Sequence, residues 1–407
     1  MKNIKMDITV SCNNKVGYSL IADSVFSDLV NHAFVFDESI TWMSDIGKLK
    51  NNEANQVFRN ISLNFYDGIS GILLFLFAYY KFRPSSLSRS IYKKGINTFL
   101  RRLIKEVPLM EVGFHNGLAG VDFMLDIIKE DITNDEYNKA KSLIFLALLD
   151  KIKSTKQYDI ISGLSGLIIH LIHQPNSFDS TSIDLLPQCV ERLQELMIER
   201  ENDIVFKNFK EAYLGGFSHG VSGVAYCLLL LSDFYNSSEF TGLAERCLNY
   251  ELSLYNEAEA NFIDMRLDYK GCCNYWCHGY PGISIALNKA YQKTKNKIYL
   301  SHIEKCYKNF NLDLKRLNSL SLCHGVFGNL AVFKEVSQQL DINQNLKDRA
   351  DFEDNLVDRF GEDGFASKYL TEQKFIPGIM NGISGIGLFA LTKCTGMDYL
   401  SKFLFNK

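Results

Sequence analysis

Long apolar runs recur along the chain, and each one directly follows a short Gly-x-x-Gly segment. Residues 72–80 (ILLFLFAYY) and 224–231 (VAYCLLLL) are apolar on every face, a pattern typical of a helix buried on all sides. Amphipathic stretches lie between these runs, and residues 86–105 are the clearest example. The spacing there predicts an exposed helix that packs one face inward. The apolar positions of that face are Leu87, Ile91, Phe99, Leu100, Leu103 and Ile104.

The Gly-x-x-Gly segment occurs seven times, with first glycines 49, 46, 57, 59, 46 and 57 residues apart. Self-similarity at this period predicts a repeat architecture, in which each repeat contributes one buried and one solvated helix. The predicted fold is all-α, a seven-fold α/α toroid with a double ring of inner and outer helices. The glycines would let the helix starts approach their neighbours closely. The first glycines are Gly68, Gly117, Gly163, Gly220, Gly279, Gly325 and Gly382.

The sequence predicts one closed toroid domain over residues 61–407, preceded by an N-terminal helical cap over residues 1–60. Residues 20–36 carry helical apolar spacing, which favours one or two helices in the cap. The chain contains only six prolines and no low-complexity linker, so several separate domains are disfavoured.

Composition narrows the class of protein. A net charge of −3 gives no sign of nucleic acid or of an anionic membrane as partner. Ten scattered cysteines do not form a small disulfide framework, so we expect reduced thiols. The N-terminus lacks a signal-peptide pattern, and the most apolar run, residues 68–80, is shorter than the roughly 20 residues that span a bilayer. These features predict a cytoplasmic protein.

The residue before each first glycine occupies an equivalent slot in the seven repeats. Asp, Asn and Ser are favoured helix N-caps, so four slots are predicted to hold caps. Histidine is not a favoured cap, yet three of the eight histidines fall in consecutive slots. Because equivalent slots lie at the same end of a toroid, these histidines should converge on one mouth. The slot residues are Asp67, Asn116, Ser162, His219, His278, His324 and Asn381.

Two of the slot histidines directly follow a cysteine, in Cys277-His278-Gly279 and Cys323-His324-Gly325. Cysteine thiolate and histidine nitrogen suit Zn²⁺ in a tetrahedral site. A separation of 46 residues is not a zinc-finger spacing, so the two pairs are interpreted as loops that a larger fold brings together.

Other candidates stay open at this stage. His278 is either a ligand or a residue that only lines the site, and Asp159, four residues before Gly163, is expected to cap the third inner helix. Cys272 and Cys273 are a rival metal pair with Cys277, but adjacent cysteines do not easily reach one ion. The remaining histidines of the apolar segments are expected to be structural: His115, His170 and His173.

At these residues the chain resembles the lanthionine synthetase C family, the lanthipeptide cyclases. The resemblance covers about residues 60–395. Its most specific parts are the Trp-Cys-x-Gly and Cys-His-Gly segments. The matching segments are Tyr158-Asp159-Ile160 before Ser162-Gly163-Leu164-Ser165-Gly166, His219-Gly220-Val221-Ser222-Gly223, Trp276-Cys277-His278-Gly279-Tyr280-Pro281-Gly282-Ile283, Leu322-Cys323-His324-Gly325 and Asn381-Gly382-Ile383-Ser384-Gly385.

The resemblance implies a seven-fold α/α toroid with one Zn²⁺ per chain held by Cys277, Cys323 and His324. It implies His219 as the acid/base group, with Asp159 in support. The implied reaction adds a peptide cysteine thiol to dehydroalanine or dehydrobutyrine, which forms a (methyl)lanthionine thioether ring. The implied partner is a dehydrated precursor peptide. Whether a dehydratase and an exporter join the protein in a membrane-associated complex is left open by the sequence.

Three departures from the family pattern stand out. His278 follows the first zinc cysteine where many single-domain cyclases have Tyr. Cys273 stands where the family has an Arg four residues before that cysteine. The repeat spacings of 57 and 59 residues leave little room for the small inserted domain that some cyclases carry near the middle repeats.

Two rival functions remain. The first is a cyclase-like zinc-binding scaffold, or a glutathione-handling relative, without ring-forming activity. The second is an α/α-barrel carbohydrate enzyme, which would need two carboxylates at the mouth. Only Asp67 and Asp159 lie near motif starts, and the Cys-His pairs would have no role, so the sequence disfavours this second rival.

Overall fold

The protein is built mainly from helices joined by short loops. The computed structural model describes residues 12–48, 56–174, 185–208, 210–266, 271–308, 310–339 and 374–405. In chain order the helices are α1 (Cys12–Asn31), α2 (Ile69–Phe82), α3 (Ser86–Glu106), α4 (Leu118–Ile127), α5 (Asn134–Ile152), α6 (Leu164–His173), α7 (Leu185–Glu195), α8 (Val221–Tyr235), α9 (Ser238–Ser253), α10 (Tyr280–Thr294), α11 (Lys297–Tyr307), α12 (Phe310–Arg316), α13 (Val326–Gln339), α14 (Ile383–Thr395) and α15 (Ser401–Leu404).

Eight short strands pair into four antiparallel two-stranded hairpins within these ranges. The hairpins do not form a common sheet, so the fold is all-α as predicted. The strands are β1 (Phe34–Val35), β2 (Ile40–Thr41), β3 (Met43–Lys48), β4 (Gln56–Asn60), β5 (Ile198–Glu199), β6 (Ile204–Val205), β7 (Tyr255–Asn256) and β8 (Asn261–Phe262).

Seven helices form a closed inner ring. Each of α2, α4, α6, α8 and α10 packs against the next inner helix, and α14 packs against α2. Phe327 at the start of α13 stacks on Phe389 of α14 with ring centroids 4.1 Å apart, which joins the sixth repeat to the seventh. The seven-fold toroid predicted from the motif count is therefore confirmed, and every apolar run that follows a motif is an inner helix.

The loops before the inner helices are joined by backbone hydrogen bonds around the ring. The amide of His115 donates to the carbonyl of Ile161, and the amide of Tyr66 donates to the carbonyl of His115. The amide of Met380 donates to the carbonyl of Tyr66 at 3.0 Å, which closes the circle between the last and first repeats. One end of the toroid is thus a ring of mutually bonded loops, which is where the sequence places its histidines.

The second glycine of each motif is required by close approach. A Cβ at Gly120 would clash with the carbonyl oxygen of Phe114 and lie 2.8 Å from the Cβ of Phe65 in the preceding repeat. The equivalent glycines meet their own loop carbonyl in the same way, six residues earlier. Any larger residue would push neighbouring inner helices apart, as the sequence predicted.

The predicted N-caps are wrong by one position. The N-cap of α2 is Gly68, that of α4 is Gly117 and that of α6 is Gly163, each with extended backbone and no side-chain cap. The slot residue stands before the cap, so its side chain is free for other contacts. Capping comes from further back: Asn64 Oδ1 accepts from the amides of Asp67 and Gly68, both at 3.0 Å.

The outer layer comprises α3, α5, α7, α9 and α11, and each of these helices packs against the inner helix before it in the chain. Helix α3 matches the amphipathic stretch predicted over residues 86–105, with Ile91 and Phe99 buried. Leu87 and Ile104 were expected on the inward face but are 51% and 76% exposed. Both lie at the edge of the buried stripe, where a 100° step per residue turns them toward solvent.

Residues 12–48 and 56–60 hold α1 and two β-hairpins, so this region is only partly helical. Helix α1 packs along α14 and takes the outer position of the seventh repeat. The prediction of a separate cap over residues 1–60 is not tested by this arrangement. The stretch after α13, residues 340–373, where the outer element of the sixth repeat is expected, lies outside the described residues.

The segment around α15 fills the centre of the inner ring. Phe403 and Leu404 are fully buried, and the Phe403 ring lies 5.3 Å from that of Phe65. Tyr226 donates its hydroxyl to the carbonyl of Phe405 at 2.7 Å, and Trp276 Nε1 donates to the carbonyl of Leu404 at 3.3 Å. The segment therefore touches the first, fourth and fifth repeats. Within the described ranges, no helix has the length and apolarity needed to cross a membrane.

Candidate metal and acid/base site

Cys277, Cys323 and His324 come together at the ring of loops. One ligand atom from each lies within 4.8 Å of the others. Cys277 is 4% and Cys323 1% exposed, while His324 is partly accessible. Among the residues that the structure describes, this is the one cluster of three or more such side chains suited to a metal ion. The rival pair Cys272 and Cys273 is not part of it.

The loop backbone fixes these side chains. The amides of Phe217 and Ser218 both donate to the carbonyl of Cys277, at 3.1 and 3.0 Å. The amide of Cys323 donates to the carbonyl of Met380 at 2.8 Å, and Asn329 Nδ2 donates to the carbonyl of Asn274 at 2.8 Å. The two cysteine loops are therefore held by neighbouring repeats on both sides.

The donor set fits a cation. Burial raises the pKa of the Cys277 thiol well above its usual value, and neighbouring Cys323 raises it further, whereas His324 lowers it. Two adjacent buried thiols do not both ionise unless a positive charge lies between them. A divalent ion would supply that charge, since it deprotonates a coordinating thiol.

His219 and Asp159 form a hydrogen-bonded pair at the same mouth. His219 Nδ1 lies 2.6 Å from Asp159 Oδ2, and the His219 side chain is 38% exposed while that of Asp159 is 9% exposed. The other carboxylate oxygen, Oδ1, accepts from the amides of Ser162 and Gly163 at 2.7 and 3.1 Å. Asp159 therefore performs the capping predicted from sequence and also holds a histidine.

Further contacts fix the position of His219. The hydroxyl of Tyr158 donates to the carbonyl of His219 at 3.0 Å, and the amide of Ile160 donates to the carbonyl of Ser218 at 3.2 Å. Residues 158–160 thus contact the His219 loop through one hydroxyl, one carboxylate and one amide. This arrangement leaves Nε2 of the half-exposed imidazole for a bound molecule.

His278 lines the site and is not in the three-residue cluster. Its ring lies 5.9 Å from that of His219, with planes 25° apart, and it is 2% exposed. Its Nδ1 lies 3.9 Å from Asp264 Oδ1. Burial and the positive charge of Arg266 lower the pKa of His278 well below its usual value, although Asp264 acts in the opposite sense.

Arg266 was not identified from the sequence. Its Nη2 lies 2.7 Å from Asp264 Oδ2 and its Nε lies 3.0 Å from Asp264 Oδ1. Burial raises the pKa of Asp264, but the Arg266 hydrogen bond and nearby His278 outweigh it and lower that pKa to about 2. The Cys273 thiol lies 3.5 Å from the same carboxylate. Cys273 stands where the resemblance implies an Arg, and Arg266 brings a cation into this neighbourhood from eleven residues before Cys277.

Glu251 supports the His219 loop from the outer helix α9. It is fully buried, and its Oε2 accepts from the amide of Gly216 and from the hydroxyl of Ser222, both at 2.8 Å. Gly216 has a φ of +98°, and a Cβ there would lie 2.7 Å from His278 Nδ1. Gly216 therefore allows the His219 loop to pack closely against the His278 ring, and the hydrogen bonds to Glu251 hold the loop in that position.

Two more side chains lie near the cluster: Tyr66, which the motifs did not single out, and His115, which was expected to be structural. Burial raises the pKa of the Tyr66 hydroxyl well above its usual value, and the neighbouring Cys323 and Cys277 thiols raise it further. His115 is fully buried against Trp276 and Tyr66, and neither ring nitrogen has a partner within the described parts of the chain. Burial, with a smaller effect of His219, lowers the pKa of His115 to about 3. Each of these two residues directly precedes a slot residue, as Cys277 and Cys323 do. This shared position in the repeat is the feature of the sequence that could have identified them.

The sequence model described as "Lanthionine synthetase C-like protein" matches residues 60–404 of the chain. The chain belongs to this family. The family resemblance inferred from the motifs is therefore confirmed. The assignment of individual roles to residues in the site remains a prediction.

Two curated relatives come from Lactococcus lactis subsp. lactis. The lacticin 481/lactococcin biosynthesis protein LcnDR2 is 25% identical over 385 residues, which cover 90% of this chain and 40% of that protein. The nisin biosynthesis protein NisC is 22% identical over 390 residues, which cover 83% of this chain and 86% of that protein. The chain thus spans well under half of the lacticin relative and most of the nisin relative.

A solved structure titled nisin cyclase superposes on this chain with a TM-score of 0.65 and 17% sequence identity. The match covers 97% of this chain and 98% of that one. This likeness demonstrates the toroid fold, in agreement with the closed ring of inner helices.

Proposed function

We propose that this member of the lanthionine synthetase C-like family is a zinc-dependent lanthipeptide cyclase. Its substrate would be a dehydrated precursor peptide, in which a cysteine thiol adds to dehydroalanine or dehydrobutyrine. The observation that carries the proposal is the Cys277, Cys323 and His324 cluster beside the hydrogen-bonded pair of His219 and Asp159. The names of the two curated relatives, which concern lacticin and nisin biosynthesis, support the same reaction class.

Cys277, Cys323 and His324 would hold one Zn²⁺, which supplies an open coordination position and lowers the pKa of a substrate thiol. In the addition, a bond forms between the cysteine sulfur and the β-carbon, and the carbon–carbon double bond becomes single. The α-carbon then takes up a proton, so the thiol proton is returned and the peptide mass does not change.

His219 is positioned to handle that proton. Its Nδ1 is held by Asp159 at 2.6 Å and its side chain is 38% exposed, so Nε2 would be the nitrogen that exchanges the proton. The imidazole would accept the thiol proton and later donate a proton to the α-carbon, while the carboxylate orients the ring and stabilises its charged form. Holding this pair and the thiol ligands on one ring of loops supplies proximity.

The test uses a synthetic peptide with one dehydroalanine and one cysteine. After incubation with the protein, a thiol alkylating reagent is added and the products are analysed by mass spectrometry. Ring closure removes the alkylatable thiol without changing the mass, so the expected product is unalkylated peptide at its original mass. Peptide that is alkylated to the same extent with and without protein would contradict the proposal.

The same assay separates the glutathione-handling alternative. With glutathione present, an intermolecular addition would give a product heavier by one glutathione, whereas ring closure leaves the mass unchanged. Elemental analysis completes the test. We expect about one Zn²⁺ per chain, with most of it lost in Cys277→Ala, Cys323→Ala or His324→Ala. Cys394→Ala, on α14, is the matched control and should keep its zinc. Full zinc in all three ligand variants would contradict the metal assignment.

A further inference from the structure

A serine stands directly before the second glycine in four of the seven motifs, and in three of these repeats it fastens its own loop. The hydroxyl of Ser165 donates to the carbonyl of Tyr158, seven residues earlier, at 2.5 Å. The serines of the first and seventh repeats donate to the carbonyls at the same spacing. In these repeats a local bond therefore ties the start of the inner helix to the loop before it. The four serines are Ser70, Ser165, Ser222 and Ser384.

The fourth repeat, which carries His219, departs from this arrangement. The carbonyl at the same spacing from Ser222 is that of Gly215, but the Ser222 hydroxyl donates instead to Glu251 Oε2 on α9, at 2.8 Å. The amide of Gly216 donates to the same oxygen, also at 2.8 Å. One carboxylate oxygen of an outer helix thus joins the two ends of this loop, and His219 lies midway between them.

The His219 loop also lacks the side chain that caps two other repeats. Gly216 stands where the first and third repeats have Asn64 and Asp159, whose side chains accept from the amides of the following turn. A Cβ at Gly215 would lie 2.7 Å from Glu251 Oε1, so the carboxyl group lies directly against the loop backbone. Glu251 therefore fastens from outside a loop that has no capping side chain of its own.

The carboxyl group of Glu251 is held at a cost to stability. It is fully buried, and its second oxygen, Oε1, has no partner among the residues that the structure describes. Burial raises the pKa of Glu251 to about 7, although hydrogen bonds from Gly216 and Ser222 act in the opposite sense. A buried carboxyl group with so few partners is unfavourable for folding. Its two hydrogen bonds both serve the loop of His219, which indicates a role at the site.

We propose that Glu251 is a positioning residue of the acid/base group, which sets the place of His219 at the mouth by fastening both ends of its loop. The catalytic part of this inference rests on the proposed function. Asp159 orients the His219 ring through Nδ1 at 2.6 Å, whereas Glu251 holds the backbone that carries the ring. A displacement of that backbone by about 1 Å would move the imidazole away from both Asp159 and the reacting atoms, which costs up to about 10²-fold in rate.

The test is Glu251→Leu, which removes both acceptor bonds and keeps a side chain of similar volume in the buried space. The kcat for ring closure should fall about 10- to 100-fold with KM little changed, because the imidazole is displaced while the peptide contacts remain. Glu251→Gln keeps an oxygen for both bonds and should retain most of the rate. In a His219→Asn background, Glu251→Leu should add little, because it acts through that histidine.

Ser222→Ala and Ser70→Ala are the matched pair, because each removes the hydroxyl of an equivalent motif serine. Both should lower the urea midpoint of unfolding to a similar extent. Ser222→Ala alone should also slow ring closure, by several-fold, because its hydroxyl is one of the two groups that bind Glu251. Equal rates for the two variants would overturn the inference.

A second readout needs no substrate. A carboxylate only accepts, so His219 Nδ1 carries the proton toward Asp159, and a bond of 2.6 Å should give this proton a resonance far downfield. The resonance is assigned by its absence in His219→Asn. It should shift or broaden in Glu251→Leu and stay in place in Glu251→Gln and Ser70→Ala. An unchanged resonance in Glu251→Leu would overturn the inference. If the unaltered protein closes no ring, the proposed function fails, and the resonance alone decides whether Glu251 positions His219.

Discussion

The two oxygens of Asp159 perform different tasks, and one substitution separates them. Oδ1 accepts from the amides of Ser162 and Gly163, whereas Oδ2 binds His219 Nδ1 at 2.6 Å. In Asp159→Asn the amide oxygen can still accept from both amides, but the NH₂ group cannot accept from the imidazole. Asn64 shows that asparagine suffices, because it caps the equivalent turn of the first repeat through its Oδ1.

The expected loss of rate in Asp159→Asn follows from the hydrogen bond to His219 that is lost. A hydrogen bond to a charged group contributes roughly 1.5–3 kcal/mol. At about 1.4 kcal/mol per factor of ten, Asp159→Asn should slow ring closure about 10- to 150-fold. Zinc content and the urea midpoint of unfolding should stay close to those of the unaltered protein. Asp159→Ala should lose the cap as well and lower the free energy of unfolding by about 1 kcal/mol.

Two further variants complete the experiment. Asn64→Ala removes the equivalent cap away from the site, so it should destabilise the protein by a similar amount without a comparable loss of rate. His219→Asn should slow ring closure by about 10²–10⁴-fold with zinc retained. The combination with Asp159→Asn should be non-additive, because the two residues act as a unit. Equal rates for Asp159→Asn and the unaltered protein, or zinc loss in His219→Asn, would refute this reasoning.

Two predictions concern buried charges. Burial raises the pKa of Glu251 to about 7, against hydrogen bonds that lower it. The folded state therefore keeps a proton that the unfolded chain releases above about pH 4.5, so the free energy of unfolding should fall by about 3 kcal/mol up to pH 7 and then level. Urea unfolding at pH 5.5 and 7.5 should show that Glu251→Gln removes this slope, and an unchanged slope would contradict the assignment. Lys141→Met removes the cation 2.6 Å from the fully buried Asp122 carboxylate, which keeps His170 Nε2 at 2.8 Å, and should destabilise by roughly 1.5–3 kcal/mol. The exposed Lys139→Met is its control, and equal urea midpoints for both variants would count against the buried pair.

The inner ring could be predicted from sequence because its signal is repeated and steric. Seven glycine motifs precede seven buried helices, and close approach at positions such as Gly120 tolerates nothing larger than hydrogen. The same regularity brought out Cys277, Cys323 and His324, since residues at equivalent slots share one end of a ring. The close approach of the inner helices and the convergence of these site residues both follow from the repeat period. The repeat period can be determined from the sequence alone.

The supporting residues could not be predicted, because they reach the site from outside the pattern. Arg266 lies in a loop with no motif, and Glu251 sits on an outer helix whose residue next to the site is set by tertiary packing. The caps were misplaced by one residue because an extended Gly68 leaves capping to Asn64, four positions earlier. The helical spacing of Leu87 and Ile104 predicts that both are buried. They are exposed because the neighbouring helix sets the width of the buried stripe, and the sequence does not give that width.

The seventh repeat is assembled from distant parts of the sequence, with α1 packed along α14 and the α15 segment inserted at the hub. An open solenoid can lose a terminal unit and keep the rest, because each unit touches only its neighbours. Here the circle has no terminal unit, and the last pairing joins segments more than 350 residues apart. The protein should therefore unfold in a single cooperative step, and a circular permutant that joins the α15 segment to α1 through a linker should close its ring faster than the natural chain order.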